Sequence, residues 1–82
     1  MNDQDIVIVS ALRTAIGTLN GKFASVPAHK LGEAVIRETL KRTGVAGDDI
    51  SEVILGQILT AAVGPGPARQ ASLNAGVPKE VP

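Results

Sequence analysis

The apolar positions of this chain fall into blocks of different period. Ile6-Val7-Ile8-Val9-Ser10-Ala11 is a β-branched run without alternation, the pattern of a strand covered on both faces, as in a parallel sheet of an α/β layer structure. From Leu12 to about Ala28 no helical period appears. Within that stretch Asn20-Gly21, flanked by Leu19 and Phe23, signals a tight turn, because both residues tolerate positive φ. Connections this long in a compact domain tend to serve binding, interfaces or catalysis. A helix is predicted from about His29 to Thr43. Ala28, Leu31, Ala34 and Val35 lie near one face, Leu40 continues it from Ile36, and Lys30, Arg37, Lys41 and Arg42 lie mostly opposite. Glu33 with Arg37 and Glu38 with Arg42 are i,i+4 pairs in the favourable order, each contributing ~0.2–0.5 kcal/mol. Lys41 and Arg42 suit the negative end of the helix dipole. Gly44 supplies the left-handed end, with Val45 placed to fold back on the last turn.

Gly47-Asp48-Asp49 reads as a turn, and Ile50-Ser51-Glu52 leads into Val53-Ile54-Leu55-Gly56-Gln57-Ile58-Leu59, a second buried strand. Strand, helix, strand makes a βαβ unit, right-handed in nearly all cases. Gly64-Pro65-Gly66 is an irregular loop, and Pro67 fits the first position of a second helix, where its missing N–H needs no partner. That helix runs through Ala68 to Ala75 and ends at Gly76, with Pro78 beyond. Ala61 and Ala62, with Gly64 and Gly66, suit close backbone packing. The expected fold class is α/β in the order β-α-β-α, residues 1–82 forming one incomplete portion of a domain with no internal boundary. Lys79-Glu80-Val81-Pro82 leads toward a third strand.

Composition narrows the functions available. Of the 82 residues eight are Lys or Arg and eight Asp or Glu, and the net charge of zero gives no electrostatic hold on a nucleic acid. Ile, Leu, Val and Phe supply 24 residues, too many for a disordered chain. The one aromatic side chain is Phe23, though, and a chain this short buries only about 60% of its unfolded surface. Without cysteine there is neither a disulfide nor a thiolate in these residues. No apolar run approaches the ~20 residues of a membrane span. The acidic start Met1-Asn2-Asp3-Gln4-Asp5 is unlike a secretory signal. The expectation is a cytoplasmic protein with neither nucleic acid nor membrane as partner.

The candidate chemistry is sparse. Asp48 and Asp49 are adjacent in a turn and do not converge on one substrate atom as general acid–base work requires, so turn or cap chemistry is favoured. His29 is the lone imidazole, without a Cys or carboxylate pattern for a metal, and a capping or surface role outweighs proton transfer. Gly64-Pro65-Gly66-Pro67 precedes a helix as a phosphate loop would, but two prolines remove half of the needed N–H groups. It matches neither the dinucleotide glycine fingerprint nor the P-loop, and reads better as a rigid spacer positioning Arg69 and Gln70. Arg13, in Arg13-Thr14-Ala15-Ile16-Gly17 after the first strand, could hold an anion where α/β sheets bind ligands. The favoured alternative is that it anchors the long loop to a carboxylate or carbonyl. Ser10, Thr14 and Ser25 lack an adjacent His–Asp pattern. No catalytic, cofactor-binding or metal-ligating residue is assigned within residues 1–82.

The wording of the chain carries further. Ile6-Val7-Ile8-Val9-Ser10-Ala11-Leu12-Arg13-Thr14-Ala15-Ile16-Gly17 resembles the opening of thiolases. The resemblance continues through Asn20-Gly21, Pro27-Ala28-His29-Lys30-Leu31-Gly32 and Gly44-Val45. It goes on through Glu52-Val53-Ile54-Leu55-Gly56-Gln57, Pro67-Ala68-Arg69-Gln70-Ala71-Ser72 and Ala75-Gly76-Val77-Pro78. The blocks stand in family order with family-like spacing over nearly the whole chain. Within the family the look is of the members that condense two acetyl-CoA molecules into acetoacetyl-CoA.

The resemblance implies the thiolase fold, two βαβαβαββ halves in layers, of which this chain is the start of the first. It implies a cysteine at a helix N-terminus that accepts an acyl group from coenzyme A. A histidine lowers that cysteine's pKa, and a second cysteine moves the proton of the Claisen step. In thiolases the nucleophile follows the segment matching Gly76-Val77-Pro78, so here it is expected beyond Pro82, and His29 matches a helix-start position, not the catalytic histidine. The 82 residues alone are expected to be inactive and to bind no cofactor. The acetyl-CoA and acetoacetyl-CoA substrates would be met by the rest of the chain, and the protein would be a homo-oligomer, dimer or tetramer. One departure is local: where many members read Gly-Gln-Asn-Pro-Ala-Arg-Gln, this chain has Gly64-Pro65-Gly66-Pro67-Ala68-Arg69-Gln70, without the two amides. The alternatives are a degradative 3-ketoacyl-CoA thiolase and, from another class, a non-catalytic interaction module.

Overall fold

Two helices, α1 (Ala28–Thr43) and α2 (Pro67–Asn74), and a 3-10 turn at Gly47–Asp49 are the regular elements of the computed structural model, which describes residues 2–58 and 64–82. α1 starts one residue before the expected His29, with Pro27 as N-cap. It ends at Gly44, whose φ of 71° is left-handed and whose N–H donates to the Leu40 carbonyl at 3.0 Å. Lys41 and Arg42 occupy its last turn, as the dipole favours. The Val45 N–H turns back to Thr43 Oγ1 at 3.3 Å. α2 starts with Pro67 at its first position and closes in a Schellman arrangement. The Val77 N–H reaches the Ser72 carbonyl at 3.0 Å and the Gly76 N–H that of Leu73 at 3.2 Å. This needs Gly76 at φ 103°, a conformation costly for any residue with a Cβ.

The helices pack at Gly32. A Cβ placed there would stand 3.3 Å from the Ala71 Cβ and 3.7 Å from Leu55 Cδ1, so the missing side chain lets the two backbones approach. The first turn of α1 shares a cavity with Gly66, Pro67 and Ala68, and Arg37 donates to the Asn74 carbonyl at 2.6 Å. The contacts are met in the same order along both helices, which therefore run in the same sense. Ala71, Ser72, Ala75, Val77 and Val81 form the buried centre, with Glu33 beside them. The inward stripe of α1 is Gly32, Val35, Ile36, Thr39 and Leu40, while Ala28 and Ala34 are exposed. The expected face thus holds at Leu31, Val35, Ile36 and Leu40, which are half-buried, and fails at the two alanines, while Gly32 and Thr39, which carry no apolar weight, share it.

Glu33 is held by Arg37 at 2.8 Å and Lys30 at 3.4 Å, and Glu38 by Arg42 at 2.9 Å, which confirms both expected i,i+4 pairs. Burial by itself pushes the Glu33 carboxyl up. The hydrogen bonds and charges of Lys30 and Arg37 outweigh it and hold the group below its ordinary value. Arg37 thus ties a buried carboxylate of α1 to the last carbonyl of α2. In the long connection the Asn20-Gly21 turn forms as expected. Asn20 is left-handed at φ 57°, and the Gly21 N–H donates to the Thr18 carbonyl at 2.9 Å.

The expected strands are not seen among the described residues. Residues 6–11 and 53–58 form neither helix nor β-ladder, and no strand occurs among the described residues. Leu59, the last residue of the second expected strand, and the Ala61-Ala62 pair lie outside the described residues. A strand exists through ladder hydrogen bonds to a neighbour, and the two runs do not pair. Several of their large side chains stay in solvent, Ile8 at 89% and Ile54 at 80%, while Leu55 reaches the helices and Val53 is half-buried. The chain exposes 6480 Å² in all, against about 4,600 Å² for a folded protein of its 8.4 kDa. The unbroken apolar runs thus mark surfaces that want cover on two faces, which the described residues do not themselves supply.

Two outcomes follow for the protein carrying this chain. Gly32→Leu should destabilise it by about 1–3 kcal/mol in urea unfolding through overpacking. Gly32→Ala should stay within about 1 kcal/mol, since a better helix former offsets a tight contact. A neutral leucine would mean that the helices do not meet there. A carboxyl held low in the fold contributes stability that is present above its unfolded pKa and lost as pH falls through the folded one. Glu33→Gln should therefore lower Tm at pH 7 by an amount that shrinks through the acid range. A deficit unchanged from about pH 7 to pH 3 would leave the ion pairs no role.

Candidate functional site

The densest set of long-range polar contacts lies where α2 begins and the chain reaches Pro82. Arg69, third residue of α2, donates from Nη1 to the Val81 carbonyl at 3.0 Å and from Nη2 to the Lys79 carbonyl. The Val81 N–H closes a turn on the Pro78 carbonyl at 3.1 Å, and the Val53 N–H donates to the Pro82 carbonyl at 2.8 Å. Residues 78–82 are thus held from α2 on one side and from the 50–58 segment on the other. A shallow cavity of about 170 Å³ among Val53, Ala68, Arg69, Ser72 and Pro82 marks their junction.

The loop before α2 is closed from within. Gly64 and Gly66 both take positive φ, 81° and 55°, and the Gln70 side chain donates from Nε2 to the Pro65 carbonyl at 2.8 Å. The Gln70 backbone N–H meets the Gly66 carbonyl at 2.9 Å, the first bond of the helix. The spacer reading of this loop therefore holds: the prolines and the Gln70 amide fix where Arg69 starts.

Behind the loop is a cavity of about 320 Å³ among His29, Gly32, Leu55, Gln57, Pro67 and Ala71. His29 does not cap α1, whose start has no side-chain cap. The ring is half-buried and lines this cavity, its Nδ1 is buried without a hydrogen-bond partner, and the capping role expected for it is not seen. The cavity is mostly apolar because α1 and α2 present glycine, alanine and proline to it, so Nδ1 finds no hydrogen-bond partner there.

The other candidates stay apart. Asp48 and Asp49 are exposed in the 3-10 turn, where the Asp49 N–H donates to the Ala46 carbonyl at 3.0 Å, in keeping with turn chemistry. Arg13 is exposed and makes no ion pair or hydrogen bond among the described residues, so the anchoring expected of it is not seen. It lies over α1 beside Val35, Glu38 and Arg42. Thr14 Oγ1 donates only to the neighbouring Ala15 carbonyl at 3.0 Å. Among the described residues no group of three or more His, Cys, Asp or Glu could hold a metal ion, and no helix is long and apolar enough to cross a membrane. Sequence reasoning missed the Arg37 bridge to Asn74 and the approach at Gly32. A glycine inside a helical pattern was the available signal for the second.

Comparison with known proteins gives this arrangement its context. Residues 6–82 match the family described as "Thiolase, N-terminal domain". A protein of Shinella zoogloeoides named acetyl-CoA acetyltransferase is 56% identical over 80 residues, covering 98% of this chain and 20% of the relative. The protein of the same name from Pseudomonas aeruginosa is 54% identical over 79 residues, covering 96% and 20%. The cytosolic acetyl-CoA acetyltransferase of Rattus norvegicus is 54% identical over 77 residues, covering 94% and 19%. The chain spans about a fifth of the length of the curated relatives it matches. With the family matched from Ile6 to Pro82, the chain belongs to the thiolases, as part of their N-terminal domain.

Proposed function

We propose that the protein carrying this chain is a cytoplasmic acetyl-CoA C-acetyltransferase. It condenses two acetyl-CoA into acetoacetyl-CoA and coenzyme A, or runs the reverse thiolysis. The observation that carries this reading is identity of 54–56% over nearly the whole chain to relatives bearing that name. The chain holds no cysteine, so the nucleophile is placed beyond residue 82, and residues 1–82 position the chemistry without performing it. They bind no cofactor in this reading, and coenzyme A thioesters are substrates of the whole protein, a homo-oligomer.

In the reaction a cysteine thiolate attacks the carbonyl carbon of the first acetyl-CoA, and the tetrahedral oxyanion collapses with cleavage of the C–S bond to coenzyme A, whose thiolate takes the proton of a second cysteine and leaves as the thiol, so that the second cysteine is now a thiolate. The second cysteine takes a proton from the methyl group of the second acetyl-CoA. The resulting carbanion attacks the acetyl-cysteine, forming the C–C bond and releasing the first thiolate. The finer fold belongs to the same reading: β-α-β-α, with residues 6–11 and 53–59 as strands in the whole protein. The shared sense of α1 and α2 supports it, since helices that each follow a parallel strand on one side of a sheet run the same way.

The test is thiolysis of acetoacetyl-CoA by the full-length protein. Turnover is expected, with complete loss on alkylation of one cysteine per subunit by iodoacetamide, while a polypeptide of residues 1–82 alone shows none. Turnover by residues 1–82, or a full-length activity indifferent to alkylation, would overturn the reading.

A further inference from the structure

α2 carries a cation at the end where its dipole disfavours one. Arg69 stands in the first turn, and the ion pairs among the described residues are those of Glu33 and Glu38, so no carboxylate compensates it there. Its guanidinium is committed elsewhere: Nη1 to the Val81 carbonyl at 3.0 Å and Nη2 to the Lys79 carbonyl. The Pro78 carbonyl is taken by the Val81 N–H and the Pro82 carbonyl by the Val53 N–H. Four of the five carbonyls from 78 to 82 are thus engaged, two of them by one planar fork. A guanidinium fixes both the spacing and the direction of two acceptors, which a rotating ammonium does not. The clamp is anchored in turn, because Gln70 ties the loop ahead of Arg69 to Pro65.

We propose that Arg69 is a positioning residue: by gripping the carbonyls of Lys79 and Val81 it sets the direction in which the backbone leaves Pro82, and so places the nucleophile that follows. The inference rests on the reading that the reactive cysteine lies beyond Pro82. Misplacing a reacting atom by about 1 Å costs on the order of a hundredfold in rate, so a clamp on the approach to that atom acts on turnover before it acts on substrate binding.

The experiment compares the full-length wild type with Arg69→Ala and Arg69→Lys. Iodoacetamide titration counts reactive cysteines, and acetoacetyl-CoA thiolysis is expressed per reactive site. In Arg69→Ala, kcat per site should fall roughly tenfold to a hundredfold with KM within about threefold. The pH midpoint of alkylation should rise, because the thiolate leaves the environment that lowers its pKa. Guanidinium chloride at millimolar concentration should restore part of the alanine variant's rate without raising that of the wild type. Arg69→Lys, which keeps a cation but not the fork, should fall between. A lower Tm or fewer reactive sites, with wild-type kcat per site and an unmoved pH midpoint, would overturn the proposal and leave Arg69 a merely structural tie. Wild-type behaviour of Arg69→Lys in all three readouts would overturn it even if the alanine variant failed to accumulate. A wild-type protein without thiolysis, or without an essential cysteine, would instead sink the reading beneath it.

Discussion

The approach of α1 to α2 at Gly32 and Ala71 sets the geometry of the other contacts. With 3.3 Å between Ala71 and the place where a Gly32 Cβ would stand, the helices sit close enough for Arg37 to span from the Glu33 carboxylate to the Asn74 carbonyl. Moving them apart by one side chain would break that bridge and expose Ala71, which is fully buried. A glycine inside a helix costs about 1 kcal/mol relative to alanine. That cost is offset here by dispersion contacts that reach full strength only at short range and by an ion pair with a second partner at a helix end. The buried Glu33 belongs to the same arrangement, since a carboxylate taken from water without its cations would be strongly unfavourable.

The placement of α2 then decides where the chain goes next. Because α2 is pinned along its length by α1, the Schellman turn at Gly76 begins from a fixed point, and Val77 and Val81 fold back into the small centre. Arg69 and the Val53 N–H fasten the following residues. Packing at one end of α2 is thereby converted into backbone direction some ten residues later.

What was legible in the sequence was whatever a residue settles locally. Gly44, Pro67 and Gly76 mark helix ends by φ alone, the two Glu–Arg pairs by spacing, and Asn20 a turn by its tolerance of positive φ. What was not legible depends on distant partners. The inward face of α1 is centred on Gly32 and Thr39, which no apolar count selects, and the buried Nδ1 of His29 follows from the small residues that α2 happens to bring opposite it. The apolar runs at residues 6–11 and 53–58 have the pattern of strands covered on both faces, but a strand is a property of a pair, and neither run is the other's partner here.

The same distinction bears on the loop that departs from the family's wording. Gly64-Pro65-Gly66-Pro67 lacks two amide side chains, yet the loop still has one amide working on it, because Gln70 reaches back from α2 to the Pro65 carbonyl. Proline at 65 keeps its carbonyl while giving up its N–H, so the residue can accept from Gln70 and asks nothing in return. Gly64 makes the approach possible, for a Cβ there would stand 2.9 Å from the Gln70 amide nitrogen. The loop of prolines and glycines is thus held to the start of α2 through its backbone, and this contact fixes the position of Arg69, one residue ahead of Gln70.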